Sequence, residues 1–358
     1  MADLGISPDK EASFSNFFYR QFFVTPPALS PDDVDLRGRT AIVTGSNSGL
    51  GLECSRQLLD LSLSRLIVAV RNEAKGETAK ADLSRDRNIA ADVIQIWKLD
   101  LNSYESITAF VERVKSLDHL DIVVLNAGVS SDGYTLNPDT GHEEILQVNY
   151  LSNVLLAILL LPVLKSRRST PSPGHLVLVS SETACWARFE DERNARPFLS
   201  ALDNREFDRG NQYYTAKLLG QFFLTELAKR VSANAAIVTA VTPGLCHGTD
   251  LNRGGPAVIA PMVRLFVRIV GRPAAVGARV ITYAAVKPGQ EAHGHYIGDN
   301  RLKPYVISLQ FKKDLLMNSI VAWHRLFTHH REGKLQKCCG KRQWMSFVLR
   351  MWRISSRS

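Results

Sequence analysis

The 358-residue chain predicts a doubly wound α/β fold: a parallel sheet of about seven strands with helices on both faces, in a single domain. Three observations predict it. From Thr40 onward short apolar runs alternate with amphipathic stretches, the pattern of strands and helices in a parallel sheet. A glycine-rich turn stands between the first run and the first stretch. An apolar content of 45% with an ordinary 22% charged fraction can fill one large core.

The elements follow in chain order. Residues 1–36 read as an N-terminal extension with one short aromatic helix, because Phe14, Phe17, Phe18, Phe22 and Phe23 recur at near-helical spacing before Pro26 and Pro27. That helix could pack on the body or meet a membrane surface or partner. Ala41–Val43, Leu66–Val70, Val93–Trp97, Ile122–Leu125, His175–Val179 and Ile237–Val241 read as buried strands, with Tyr296-Ile297 as a seventh. The helices between them are placed at Leu50–Leu61, Tyr104–Leu117, Thr140–Lys165 and Tyr213–Val231. The most apolar run, Leu151–Leu164, is too short to span a bilayer and carries Pro162, so it reads as a buried or subunit-facing helix. Residues 37–305 therefore form the domain proper, and 306–358 a basic C-terminal extension.

The first strand runs into Thr44-Gly45-Ser46-Asn47-Ser48-Gly49-Leu50-Gly51 and then a helix. Glycines 45, 49 and 51 let backbone approach a pyrophosphate and let the helix N-terminus aim its N–H groups at it. Arg71 follows the second strand, which ends at Val70, at the place where an acid would hold a ribose 2′-hydroxyl. A guanidinium there suits a 2′-phosphate instead, with Lys75 in reach, so NADP(H) is the expected cofactor. Asp100 after the third strand could accept from the adenine amino group or cap a helix in competition with Asn102 and Ser103.

Tyr213 and Lys217 are four apart on one helix face, which sets an ammonium beside a phenol. An ordinary phenol near pKa ~10 is a poor acid or base at neutral pH, and a desolvated lysine with a cationic nicotinamide could tune it. The spacing recurs at Tyr283 and Lys287, but that copy runs into Pro288 and reads as a structural helix end. Ser181, closing the fifth strand, is preferred over Ser180 by strand alternation.

With these pieces in place the chain resembles the short-chain dehydrogenase/reductase family over roughly residues 37–300. The resemblance rests on Thr44-Gly-x-x-x-Gly-x-Gly51, Leu125-Asn-Ala-Gly128, Asn149 in Val-Asn-Tyr-Leu-Ser, Ser181 in Val-Ser-Ser, Tyr213-x-x-x-Lys217 and Pro243-Gly244. Among subgroups it is most similar to retinol-dehydrogenase-like members and to reductases of fungal secondary metabolism. The resemblance implies a Rossmann-type sheet and a catalytic set of Asn149, Ser181, Tyr213 and Lys217. It makes Tyr213 the acid in reduction and base in oxidation. Lys217 lowers its pKa and holds the nicotinamide ribose, and Ser181 binds the substrate oxygen. Asn149 bends its helix and holds a water linking Lys217 to solvent. It further implies cofactor contacts from Ser48 and Leu50 in the glycine turn, from Asn126, Ala127 and Gly128 beside the adenine ribose, from Pro243 and Gly244 over the nicotinamide, and from Thr249, which stands one residue beyond the commonest family spacing. The chain departs from the pattern in a long Ser181–Tyr213 loop carrying Trp186, Phe189 and Phe198, which suits a bulky lipophilic substrate. It departs also in an amphipathic Ala257–Val270 stretch suited to a lid, and in its tail.

Charge and cysteine use narrow the function classes. Residues 311–358 hold 11 of the 44 basic and 2 of the 35 acidic residues, so the rest is balanced with 33 of each. A neutral body argues against nucleic-acid binding, while the basic, tryptophan-bearing tail could touch an anionic membrane. Cys54, Cys185, Cys246, Cys338 and Cys339 make no metal-ligand or disulfide spacing, and no secretory signal opens the chain, so a reducing, cytoplasmic setting is expected. The expected reaction is hydride transfer between NADP(H) and a ketone, aldehyde or secondary alcohol of a lipophilic metabolite. The alternatives are a retinol- or steroid-like alcohol dehydrogenase and a catalytically silent dinucleotide sensor. A second copy of the chain is a candidate partner through the apolar helices.

Overall fold

The structure is a computed structural model that describes residues 7–131, 133–188, 198–204, 206–249, 251 and 260–304. The C-terminal extension with Cys338 and Cys339, and Phe189 and residues 257–259, lie outside the described residues.

The strands form because each central run is apolar at successive positions, so it can be buried on both faces. They are β1 (Thr40–Thr44), β2 (Arg65–Val70), β3 (Ile94–Lys98), β4 (Ile122–Leu125), β5 (Gly174–Val179) and β6 (Ala236–Thr242), followed by two-residue β7 (Cys246–His247) and β8 (Arg272–Pro273), then β9 (Tyr296–Gly298) and β10 (Arg301–Lys303). Eight of them make one sheet in the order β10-β9-β6-β5-β4-β1-β2-β3, while β7 and β8 pair separately. Ile42, Val123 and Leu176 face one core and Val43, Val124 and Val177 the other. All neighbours are parallel except β10, which returns antiparallel to β9. The eighth strand corrects the expectation of about seven: Asp299 and Asn300 adopt φ of +52° and +58°, the two-residue hairpin turn that reverses the chain after Gly298.

The helices are α1 (Pro8–Ala12), α2 (Phe14–Phe23), α3 (Gly49–Asp60), α4 (Glu73–Ser84), α5 (Tyr104–Val114), α6 (Glu144–Leu146), α7 (Asn153–Ser166), α8 (Phe198–Asn204), α9 (Arg209–Ala228), α10 (Ala260–Val270) and α11 (Ala274–Val286). Residues Gln147–Ser152 form a π-helical turn joining α6 to α7. The continuous helical stretch Glu144–Ser166 is therefore long and apolar enough to cross a membrane, contrary to the length read from its apolar run, yet 94% of that window is buried within the chain. It is a core helix against the sheet. Helix α9 begins before Tyr213 because Asp208 caps it, accepting from the Asn211 N–H at 3.1 Å.

The order places β4 beside β1 while β2 and β3 continue on the far side. A crevice opens at the carboxyl ends of strands where the winding reverses, and the functional residues collect there.

Candidate active site

The turn after β1 is shaped by contacts that only glycine allows. Gly45 has φ +64°, and a Cβ there would lie 2.9 Å from Ala127 Cα. A Cβ on Gly51 would lie 2.6 Å from both Asn126 Nδ2 and the Gly45 carbonyl. Asn126 ties the two strand ends together, its Nδ2 donating to the Thr44 carbonyl at 2.9 Å. The first turn of α3 then presents its free N–H groups to the crevice.

One cleft of about 740 Å³ runs from Arg71, Lys75 and Asp100 past Gly45, Ser48, Gly49 and Leu50 to Ser181, Tyr213 and Lys217. Asn126, Ala127, Gly128, Pro243, Gly244 and Thr249 line it as well. The residues fit a dinucleotide: cations at one end, a backbone cradle in the middle, a phenol and ammonium at the other. Arg71 is exposed and has no carboxylate partner among the described residues. Asp100 is partly used locally, accepting from the Asn102 N–H at 2.9 Å, while Ser103 is the side-chain cap of α5.

Two expected residues stand behind the cleft and do not line it. Gly51 is a packing glycine beneath the turn, for the reason just given. Asn149 lies in the π-helical turn with its amide committed to Val129, donating to the carbonyl and accepting from the N–H, both at 2.8 Å. It positions the segment that carries Gly128, where a Cβ would lie 2.8 Å from Asn149 Oδ1 and 3.5 Å from Lys217 Nζ.

Ser181 lies beside the Tyr213 phenol, and its Oγ pairs with Thr183 Oγ1 at 2.9 Å. Ser180 also lines the cleft, but its Oγ is engaged, accepting from Gln221 Nε2 at 2.8 Å. Burial pushes the Tyr213 phenol well above its usual range, with Ser181 opposing. Lys217 Nζ sits 5.5 Å from the ring centroid, donates to the Val179 carbonyl at 2.9 Å, and is itself pushed down to about 8 by burial. The phenol keeps its proton at neutral pH, which is the form that donates to a carbonyl oxygen. The second Tyr-x-x-x-Lys is structural: Tyr283 packs on the core and Lys287 donates to the Asp33 carbonyl at 3.1 Å.

The depressed Lys217 pKa has a stability consequence. The unfolded chain holds more protons than the native one between about pH 8 and the ordinary lysine pKa of 10.5, so stability rises with pH across that window and the full penalty applies below it. That penalty is about 3 kcal/mol. Lys217→Met removes it but leaves the Val179 carbonyl unpaired, at a cost of about 1–3 kcal/mol. A denaturant midpoint higher than wild type at pH 7, with the advantage gone by pH 10.5, is the expected result.

Sequence patterns gave no hint of a buried ionic cluster at the substrate end. Arg20 of α2 bonds Glu11 of α1, reaches Glu182 at 2.6 Å and lies 3.8 Å from Asp299 in the β9–β10 turn. Arg272 pairs with Asp299 at 2.7 Å and donates to the Arg20 carbonyl at 2.9 Å. Gln21 donates to the carbonyls of Leu245 and Val270 at 2.9 and 3.1 Å. The aromatic spacing of α2 was visible in the sequence, but the partner of a lone arginine on it was not.

A family model described as short chain dehydrogenase matches residues 39–189. The chain is 47% identical to the short-chain dehydrogenase fogG of Aspergillus ruber over 88% of this chain and 91% of that protein. It is 41% identical to the short chain dehydrogenase/reductase mfmJ of Annulohypoxylon moriforme over 84% of this chain and 87% of that one. An uncharacterized protein from Mycobacterium Paratuberculosis of known structure superposes with a TM-score of 0.61 at 25% identity, covering 84% of this chain and 98% of its own.

Proposed function

The chain belongs to the short-chain dehydrogenase/reductase family, in its fungal reductase type, and from that premise we propose that it is an NADP-dependent oxidoreductase acting on a ketone, aldehyde or secondary alcohol of a lipophilic secondary metabolite. The observation that carries the reading is the single cleft joining Arg71 at one end to the Ser181–Tyr213–Lys217 cluster at the other. Arg71 and Lys75 would hold the 2′-phosphate, the glycine turn the pyrophosphate, and Lys217 the nicotinamide ribose. When bound, the nicotinamide supplies or accepts the hydride.

The chain's own residues handle the proton. Ser181 Oγ orients the substrate oxygen, Tyr213 donates its phenolic proton to that oxygen as the carbonyl carbon is reduced, and the phenol is reprotonated from solvent. A buried Lys217 ammonium offsets the negative charge that Tyr213 acquires while it lacks its proton. In the reverse direction the same phenol, once deprotonated, takes the proton from the alcohol oxygen.

Titration with NADPH and NADH tests the cofactor half. A charge-assisted arginine–phosphate contact is worth about 1.5–3 kcal/mol, so Arg71→Glu should weaken NADPH binding roughly tenfold to a hundredfold and leave NADH binding little changed. Equal affinity of the wild type for both nucleotides would overturn the NADP assignment.

A further inference from the structure

Phe14, Phe17, Phe18, Trp186, Tyr214 and Phe266 all line the end of the cleft that holds Ser181 and Tyr213. Phe14, Phe17, Trp186 and Tyr214 form a run of ring contacts that reaches Tyr213. Phe14 stacks on Trp186 with centroids 5.0 Å apart and 23° between planes, Trp186 meets Tyr214 edge-on at 5.8 Å and 81°, and Tyr214 meets Tyr213 at 6.4 Å and 77°. Phe17 braces Trp186 at 6.4 Å and 66°. Phe14 and Phe18 remain 63% and 37% exposed, so open ring faces are left for a ligand.

The wall is held rigidly. Its N-terminal half rides on α2, which Arg20 anchors to Glu182, the residue immediately after Ser181 and four before Trp186. Gln21 fixes the same helix to the Leu245 carbonyl behind Pro243-Gly244. Serine, tyrosine and aromatic wall are thus joined by direct contacts, and a group lying on the wall is set at a defined place relative to the Tyr213 hydroxyl.

We infer that this wall is the substrate subsite and that it takes a planar aromatic aldehyde or ketone, with the aryl ring against Phe14 and Trp186 and the carbonyl oxygen at Ser181 and Tyr213. The identity of the reacting group rests on the oxidoreductase reading above; the preference for a flat ring rests on the wall alone. Aromatic faces attract another ring beyond the area it buries. A planar ligand also has no chain torsions to freeze, whereas an alkyl chain of equal carbon number loses several on lying down against a rigid surface. Together these amount to about tenfold in affinity.

The test compares 2-acetonaphthone with 2-dodecanone, which have the same number of carbons. Equilibrium dialysis against the Tyr213→Phe full-length chain measures binding without turnover, and NADPH oxidation by wild type measures kcat/KM. Acetonaphthone should be preferred at least tenfold by both measures. That preference should collapse at least tenfold in Phe14→Leu/Trp186→Leu, which keeps an apolar wall but removes two ring faces. Tyr19→Leu, on the same helix but outside the cleft, should keep the preference. Equal binding of the two ketones, or a preference unchanged in the double variant, overturns the inference. If neither ketone supports NADPH oxidation but acetonaphthone still binds preferentially and loses that preference in the double variant, the aromatic subsite stands and the oxidoreductase reading falls.

Discussion

Tyr213→Phe should lower kcat/KM for carbonyl reduction by about 10²- to 10⁴-fold, the range expected when a positioned proton donor is removed. The fold should hardly register the change. Phenylalanine fills nearly the same buried volume, and only a hydroxyl beside Ser181 is lost, about 1 kcal/mol of stability at most. Loss of turnover with a preserved unfolding midpoint and retained NADPH binding therefore separates chemistry from folding. The pH profile adds a second readout. Burial holds the phenol's proton above the neutral range, so the group that titrates first is Lys217, near pH 8. Wild-type kcat/KM for reduction should accordingly fall as pH rises through about 8, because the free enzyme loses the ammonium beside the reacting phenol. A Tyr213→Phe enzyme retaining more than a tenth of wild-type kcat/KM would remove the tyrosine from the acid role.

The glycine turn, the buried strands, Ser181, Tyr213 and Lys217 were legible because local chemistry dictates them. A strand buried on both faces must be apolar throughout, a turn residue whose Cβ would fall 2.9 Å from Ala127 Cα must be glycine, and residues four apart on a helix must share a face. What the sequence hid depends on partners far along the chain. Residues 1–36 read as an extension because no local pattern tells that Arg20 will meet Glu182 and Asp299, or that Phe14 will stack on Trp186. The β10 strand was missed although Asp299-Asn300 is a recognisable hairpin turn, since three residues give too short a run to read. Spacing sets Lys217 beside the Tyr213 phenol, but the burial that pushes the phenol up and the ammonium down is a property of the assembled core.

Arg20→Met tests whether the N-terminal helices belong to the catalytic unit. Arg20 is 5% exposed and its guanidinium compensates Glu11 and Glu182, two carboxyls otherwise surrounded by protein. Methionine keeps most of the volume and none of the charge, so both carboxylates are left with less compensation, and removing one partner of a buried pair typically costs about 3–5 kcal/mol. Burial already pushes the Glu182 carboxyl up against the pull of Arg20. Without that pull it should take up a proton more readily, and the variant's deficit should shrink as pH falls. The loss should be local, because α1 and α2 pack on the rim of the cleft and the two main cores lie around the sheet. Limited trypsin digestion should then cut at Lys10 in the variant under conditions where wild type is protected, and kcat/KM should fall with it as Glu182 releases the segment after Ser181. Adding Glu11→Leu and Glu182→Leu to Arg20→Met replaces the buried charges with apolar groups and should restore much of the protection. Activity that stays at wild-type level while the N-terminal helices become cleavable would show that Ser181 is held by the sheet alone, and that the Arg20 cluster fastens the helices without serving the site.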